Sequence, residues 1–360
     1  MALDDSEPAG DPPSDKDDAP GRAGRVTIRQ VASMAGVSVA TASKALNERG
    51  SMMPQTRERV QAAARALNFR PNAMARALVS QRSFTLGLLT NDTYGRFTLP
   101  VAAGLSEAMV DRGVSVFLCA IEDDPERARV NLDAMQEKCV DGLVLAGKRV
   151  DRALPLDLSG LSLPVVHVYS ARPPGGIGFE PDDEAGAALA VAHLAGLGRR
   201  RIAHVTGPVG FAAVPMREAG WRRALAEAGL SPFGEPLSGE WSEDFGFRAA
   251  GLLFGPETGP ERPDAVFCGN DQIARGLMDA LALMGVGVPD DVAVVGFDNW
   301  EIFAQATRPA LTSVDMALKE VGRQAGLTIL DMIDGKRVEP GTRRLPCRLV
   351  VRRSCGGAGG

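Results

Sequence analysis

VTIRQVASMAGVSVATASKALN, residues 26–47, is the stretch on which the reading of this chain turns. Thr27 is placed to cap a helix that begins at Ile28, with Val31, Ala32 and Ala35 on one apolar face. Gly36 permits a tight turn, and Val37 plugs the angle between two helices. Ser38 is placed to cap a second helix carrying Val39 to Leu46. Helix, glycine-containing turn and helix form the geometry in which the second helix enters a DNA major groove. Pro54 and Thr56 then signal a third helix, with Thr56 as its cap. Val60, Ala63, Ala64 and Leu67 on that helix face the first two. A three-helix bundle without a nucleic-acid role is the competing reading.

Charge, together with the Ala-Gly-Val-Ser turn and the caps, favours the first reading, although a basic block alone could be a solvated charged face. Residues 1–24 hold seven acids and two bases, a net of −5. Residues 25–82 hold ten bases and two acids, a net of +8. The whole chain carries −5 over 360 residues, so the remainder sums to −8. A compact basic block between acidic stretches is the footprint of a module that binds a polyanion. The first 24 residues are Asp, Pro, Gly and Ala and bury too little surface to fold, which predicts a disordered acidic tail. The headpiece then spans 25–70, and a short helix and linker occupy 71–82.

From residue 83 the pattern changes. Apolar runs suited to strands covered on both faces lie at 84–89, 114–120, 142–147, 164–169, 201–207, 265–269 and 292–297. Helical stretches lie between them, near 98–112, 125–138, 183–196, 215–228, 244–254 and 271–284. Alternation of this kind predicts parallel sheets in an α/β architecture over 83–352, as one large sheet or two subdomains. Residues 353–360 are expected to be a flexible tail.

Several function classes find no support. The five cysteines and three histidines show no metal-ligand spacing, and the cysteines read as reduced thiols. The acidic, proline-rich start lacks the apolar stretch of a secretion signal. No run approaches the roughly 20 apolar residues that cross a bilayer. There is no GxGxxG after the first strand, no Walker A motif and no GxSxG elbow; GGIGF (175–179) reads as a loop. No catalytic residue, cofactor or metal is therefore assigned, and a cytoplasmic location is expected.

The residues of 27–72 resemble the headpiece of the LacI/GalR family of bacterial transcription regulators. Thr27-Ile28, Val31-Ala32, the Ala35-Gly36-Val37-Ser38 turn, Thr41, Ser43 and Leu46-Asn47 follow the family pattern, as do Thr56-Arg57, Val60, Ala63, Leu67, Phe69 and Pro71-Asn72. The resemblance implies that Val39, Ala40 and Lys44 read base edges. Lys44 would donate to guanine, and Val39 and Ala40 would offer apolar contact. A phosphate contact is the alternative for Lys44. Thr27, Ser38, Thr41, Ser43, Asn47 and Arg57 are better placed for phosphates, which fix register without reading sequence. PNAMARALVS (71–80) resembles the family's hinge helix, which pairs in a dimer and enters the minor groove. Asn72 belongs to it, Ala75 would lie at the helix–helix contact, and Leu78 would be the wedge between base steps. Ordinary domain packing is the alternative for Leu78.

The larger part is similar to the family as well, through VDGLVLAG (140–147), HLAGLGRRRIAHVTGP (193–208), PDAVFCGNDQIARGLMDAL (263–281) and GVGVPDDVAVVGFDN (285–299). The resemblance implies a periplasmic-binding-protein-like effector domain of two α/β subdomains around a ligand cleft. Its candidate effector contacts are Arg217, Trp241, Asn270, Asp271 and Asp298, with Phe97 and Tyr169 on the other wall. A flat indole, a fork of donors and a carboxylate suit the vicinal hydroxyls of a sugar; a nucleobase or a carboxylate is the alternative ligand. A helix cap is the alternative for Asp271, and a turn or helix cap for Asp298. The expected protein is a cytoplasmic homodimer that represses transcription from a pseudo-palindromic operator under control of a carbohydrate effector. A sugar-binding or sugar-modifying α/β enzyme with an appended DNA module is the alternative. A DNA-binding dimer blind to small molecules would leave the polar cleft set unexplained.

Overall fold

The computed structural model of the chain describes residues 26–46, 52–69, 82–256 and 261–357. Two compact units divide it, Met1–Ser80 and Gln81–Gly360. The expected acidic tail, Asn47, and the hinge residues Asn72, Ala75 and Leu78 lie outside the described residues.

In the first unit, helices α1 (Ile28–Met34), α2 (Val39–Leu46) and α3 (Pro54–Ala66) enclose one small core. Val31, Ala32, Ala35, Ala42, Ala45, Val60, Ala63 and Ala64 are buried in it. Alanine at most of these positions lets the helices approach closely. Gly36 takes φ +60°, so the turn needs a residue without a Cβ penalty. The Ser38 hydroxyl accepts from Thr41 N at 3.1 Å and so caps α2. At α1 the bond runs the other way, with Thr27 N donating to Gln30 Oε1 at 2.7 Å. The third helix corrects an expectation. It begins at Pro54 and not after Thr56, because proline lacks an N–H and suits the first helical position.

The second unit holds two six-stranded sheets. The first takes β1 (Thr85–Thr90), β2 (Ser115–Ala120), β3 (Gly142–Arg149), β4 (Val165–Ser170), β5 (Ile177–Pro181) and β11 (Gly341–Leu345), in the order β11-β5-β4-β3-β1-β2. The second takes β6 (Ile202–Thr206), β7 (Leu237–Ser238), β8 (Ala265–Cys268), β9 (Ala293–Asp298), β10 (Thr312–Asp315) and β12 (Arg348–Val350), in the order β12-β10-β9-β8-β6-β7. The pairings are parallel except β10 with β12. The chain therefore passes between the sheets three times: after β5, between β10 and β11, and between β11 and β12.

The strands are covered by helices α4 (Thr98–Met109), α5 (Pro125–Glu137), α6 (Asp183–Gly196), α7 (Ala213–Glu227), α8 (Glu243–Phe254), α9 (Asp271–Leu283), α10 (Glu301–Ala306) and α11 (Leu318–Ile333). Three helix pairs interlock at glycines. A Cβ on Gly104 of α4 or Gly322 of α11 would strike the facing helix backbone, as would one on Gly220 of α7, on Gly246 of α8 or on Gly276 of α9.

All seven expected strands are present. The apolar runs at their centres are buried, while edge strand β2 leaves Phe117 and Leu118 partly open. Two expectations are overturned. GGIGF is not only a loop: Gly175 turns the chain, and Ile177 to Phe179 enter β5, paired to β4 and β11. Nor is 353–357 a free tail. Ser354 and Cys355 are wholly buried, and the Ser354 hydroxyl donates to Val294 O at 2.6 Å and accepts from Thr312 N at 2.8 Å. Those bonds satisfy backbone groups that would otherwise be buried without partners.

Candidate functional site

On the first unit, Ser38, Val39, Ala40 and Lys44 are exposed along one side of α2, opposite the buried Ala42 and Ala45. Thr41 and Ser43 are half-buried, with the Thr41 and Ser38 hydroxyls 2.8 Å apart. Thr27 is exposed at the start of α1. Arg57, near the start of α3, is half-buried and its Nε has no partner among the described residues. A guanidinium held this way keeps donors in reserve for an anion. The exposed face of α2 thus offers one ammonium, hydroxyls and small apolar groups, which suits a groove lined by phosphates and base edges.

In the second unit, the second turn of α7 delivers Arg217, which is only 2% exposed. Its Nε donates to Asp183 Oδ1 at 2.6 Å and its Nη1 to Gly269 O at 2.5 Å. Its Nη2 stands 3.7 Å from Asp298 Oδ1. The guanidinium lies 3.7 Å over the Phe297 ring and 5.7 Å from that of Trp241. Buried positive charge is tolerable here because Asp183, itself 1% exposed, neutralises it. Trp241 rests on glycine backbone: a Cβ on Gly207 would come within 2.1 Å of its ring. Phe211 meets it edge-on at 6.0 Å.

Asp298 ends β9 with φ +99°, and Tyr169 lies in β4 with φ +49°. Side chains rarely adopt such backbone, and strain of this kind gathers at functional sites. Tyr169 packs on Phe97 with ring centroids 5.1 Å apart, and burial pushes its phenol above the ordinary value. Phe97 and Thr98 both donate their backbone N–H to Asp92 Oδ2, at 2.7 and 2.9 Å. Arg96 crosses between the subdomains. It pairs with Asp298, donates to Gln272 Oε1 at 2.9 Å, and lies between the Phe97 and Trp300 rings. Arg149 makes a second crossing, donating to Gly210 O at 2.6 Å and stacking 3.7 Å over Phe211.

The structure thus gathers Phe97, Tyr169, Arg217, Trp241 and Asp298 around one junction. The other two candidates also make scaffold hydrogen bonds. Asn270, 3% exposed, caps α9 by accepting from Ile273 N at 2.8 Å, so the cap expected of Asp271 falls to its neighbour. Asp271 is fully buried; Oδ2 accepts from Trp300 N at 2.7 Å and Oδ1 from Ser313 Oγ at 2.5 Å. Burial pushes its carboxyl up to about 6 in spite of those donors. The alternative of a cap for Asp298 does not hold either, since its oxygens face Arg96 and Arg217.

Sequence reasoning missed Asp183, Arg96, Gln272 and Arg149. Asp182 and Asp183 are indistinguishable in sequence; in the fold Asp182 accepts from Ala185 N and caps α6, while Asp183 turns inward to Arg217. Arg96 had one usable signal, the one cation of the NDTYGRF loop (91–97), directly before Phe97. Among the described residues no cluster of His, Cys, Asp and Glu could hold a metal, and no helix is long and apolar enough to cross a membrane.

Residues 27–72 match the family "Bacterial regulatory proteins, lacI family", and residues 191–355 match the periplasmic binding protein-like domain. The ribose operon repressor of Escherichia coli is 32% identical over 308 residues, covering 83% of this chain and 90% of that protein. The HTH-type transcriptional repressor PurR of Vibrio campbellii is 32% identical, covering 91% of this chain and 98% of that protein. Among solved structures, the lac repressor dimer bound to operator and the anti-inducer ONPF aligns with a TM-score of 0.70 at 27% identity, over 92% of this chain and 99% of that one. The transcriptional regulator CelR–cellobiose complex aligns with a TM-score of 0.62 at 29% identity, over 92% of this chain and 100% of that one.

Proposed function

The chain belongs to the lacI family of bacterial regulatory proteins, whose matched relatives are transcriptional repressors and not enzymes, and on that premise we propose that its own operator affinity is set by a polyol bound at the Arg217–Asp298 junction. The observation that carries the reading is Asp298. It is an acceptor-only carboxylate held on left-handed backbone, with Arg217 and the Trp241 face beside it. Such a set suits a sugar: a carboxylate and a guanidinium for vicinal hydroxyls, and an indole for the apolar ring face.

Val39, Ala40 and Lys44 read bases in the major groove in this reading. Thr27, Ser38, Thr41, Ser43, Asn47 and Arg57 hold phosphates. Two chains dimerise in the cytoplasm over a pseudo-palindromic operator, with Asn72, Ala75 and Leu78 on paired hinge helices. Phe97 and Tyr169 supply the opposite wall, and Asn270 and Asp271 support it from behind. A ligand that prefers one arrangement of the subdomains shifts the balance between them, and with it operator affinity.

The test is calorimetric titration of the full chain with a panel of neutral sugars, ribose and cellobiose included, repeated with Trp241→Ala and Arg217→Lys. Binding of at least one sugar, weakened about tenfold or more in each variant, is the expected result. Sugar binding that both variants leave unchanged rules out this junction, and conversion of the sugar to product rules out a sensor.

A further inference from the structure

A cavity of about 800 Å³ adjoins the junction, between the Tyr94–Phe97 loop, residues 298–302, the start of α11 and the Arg348–Arg352 segment. Phe97 and Asp298 of the junction line it, whereas Arg217, Trp241 and Tyr169 do not. Its size is that of a small-metabolite site. Five acids and five bases line it, and their pairing is informative. Lys319 pairs with Glu107, Arg323 with Glu320, Arg348 with Asp315 and Arg96 with Asp298. Glu301 and Arg352 are left over. Glu301 is exposed, screened by water, and accepts from Gln305 Nε2 at 2.7 Å.

Arg352 is different. It is half-buried and fixed by neutral acceptors alone, with Nη1 donating to Leu311 O at 2.7 Å and Nη2 to Asn299 Oδ1 at 2.8 Å. No carboxylate of the described residues stands within 4.0 Å of it. On the same cavity, Arg96 keeps a buried Nε with no hydrogen-bond partner. A buried donor without an acceptor is costly, and a half-buried cation that has Asp271 near it but no carboxylate in contact is only partly neutralised. Both costs fall when an oxyanion enters.

We propose that this cavity is an oxyanion site, taking the carboxylate or phosphate group of a small metabolite on Arg352 and Arg96. The cavity opens on the polyol junction and shares Phe97 and Asp298 with it, but the proposal rests on Arg352 and Arg96 and stands without the polyol reading. An anion that draws Arg96 from Asp298 links the two.

The full chain is titrated with potassium phosphate or potassium acetate against potassium chloride at constant ionic strength. Tryptophan fluorescence is followed, because Trp300 lines the cavity. A saturable change with either anion, absent in Trp300→Phe, is expected. Arg352→Gln and Arg96→Gln should each weaken it about tenfold or more. Arg352→Lys should retain part of the binding, and carries the test if the glutamine variants fail to fold. Arg248→Gln, which removes a surface charge on α8, should leave it unchanged. A response to phosphate alone identifies a phosphate ligand, and one to acetate alone a carboxylate. The proposal is overturned if neither anion gives a saturable change, if Arg352→Gln binds as tightly as the parent, or if Arg248→Gln weakens binding equally.

Discussion

Lys44 is the charged side chain of α2, and its ammonium is exposed on the side away from Ala42 and Ala45. If it reads guanine, Lys44→Ala relaxes preference at one base pair per half-site by about 1–3 kcal/mol. Binding measured across a library of operator variants checks this; a loss uniform over all sequences would place Lys44 on a phosphate. Arg217 calls for a different substitution. Removing it leaves Asp183 buried and unpaired, at a cost of about 3–5 kcal/mol, so Arg217→Ala would report folding rather than ligand binding. Two buried titratable groups predict the acid behaviour. Burial lowers His204 to about 4, so the unfolded chain takes up a proton below pH 6.5 that the folded one refuses. That contribution, about 3 kcal/mol, is lost as pH falls from 6.5 towards 4. Asp271 has the opposite sign. Its folded carboxyl is protonated near pH 6 and the unfolded one near 3.8, so stability rises by about 3 kcal/mol as pH falls through that window. Thermal unfolding of Asp271→Asn should therefore lose stability more steeply than the parent between about pH 6 and pH 4. His204→Phe should lose it less steeply, and parallel profiles for all three proteins would contradict the assignment.

At the scale of elements, strands were legible wherever both faces are covered, because such segments are apolar throughout. The strands that escaped notice were short or carry charge. Gly341–Leu345 reads GTRRL, and Arg348–Val350 has three residues. Their pairing comes from neighbours distant in sequence, β5 and β10, and no local pattern records it. Helix contacts were hidden for a related reason. Glycine inside a helix reads as a weakness of about 1 kcal/mol against alanine. Gly276 is instead a clearance, since a Cβ there would lie 1.8 Å from Glu243 O on α8. Gly276→Ala should destabilise the second unit by about 1–3 kcal/mol despite its better propensity. Chemical denaturation measures this, and a stabilised variant would show that the helices yield.

Over the whole chain, the prediction concerns linkage. A sugar that changes operator affinity tenfold must have its own affinity changed tenfold by operator, a coupling of about 1.4 kcal/mol. Titrating the protein with sugar, with and without operator DNA, measures both sides of that cycle; equal sugar affinities in the two titrations would disprove control through the junction. The amino-acid sequence determined the headpiece, the α/β character of the remainder and five of the residues that meet at the junction. The first two are local features, a glycine turn, caps, an apolar period and a run of charge, while the junction residues followed from the resemblance to the family. Only the tertiary structure decided which of two adjacent aspartates turns inward to Arg217, that Asn270 and Asp271 make hydrogen bonds to the scaffold, that Arg96 spans the cleft, and that no carboxylate of the described residues touches Arg352. Each of these depends on what the fold sets beside a side chain. In the helix-turn-helix the function lies in the element itself, whereas in the cleft it lies in contacts between elements far apart in sequence.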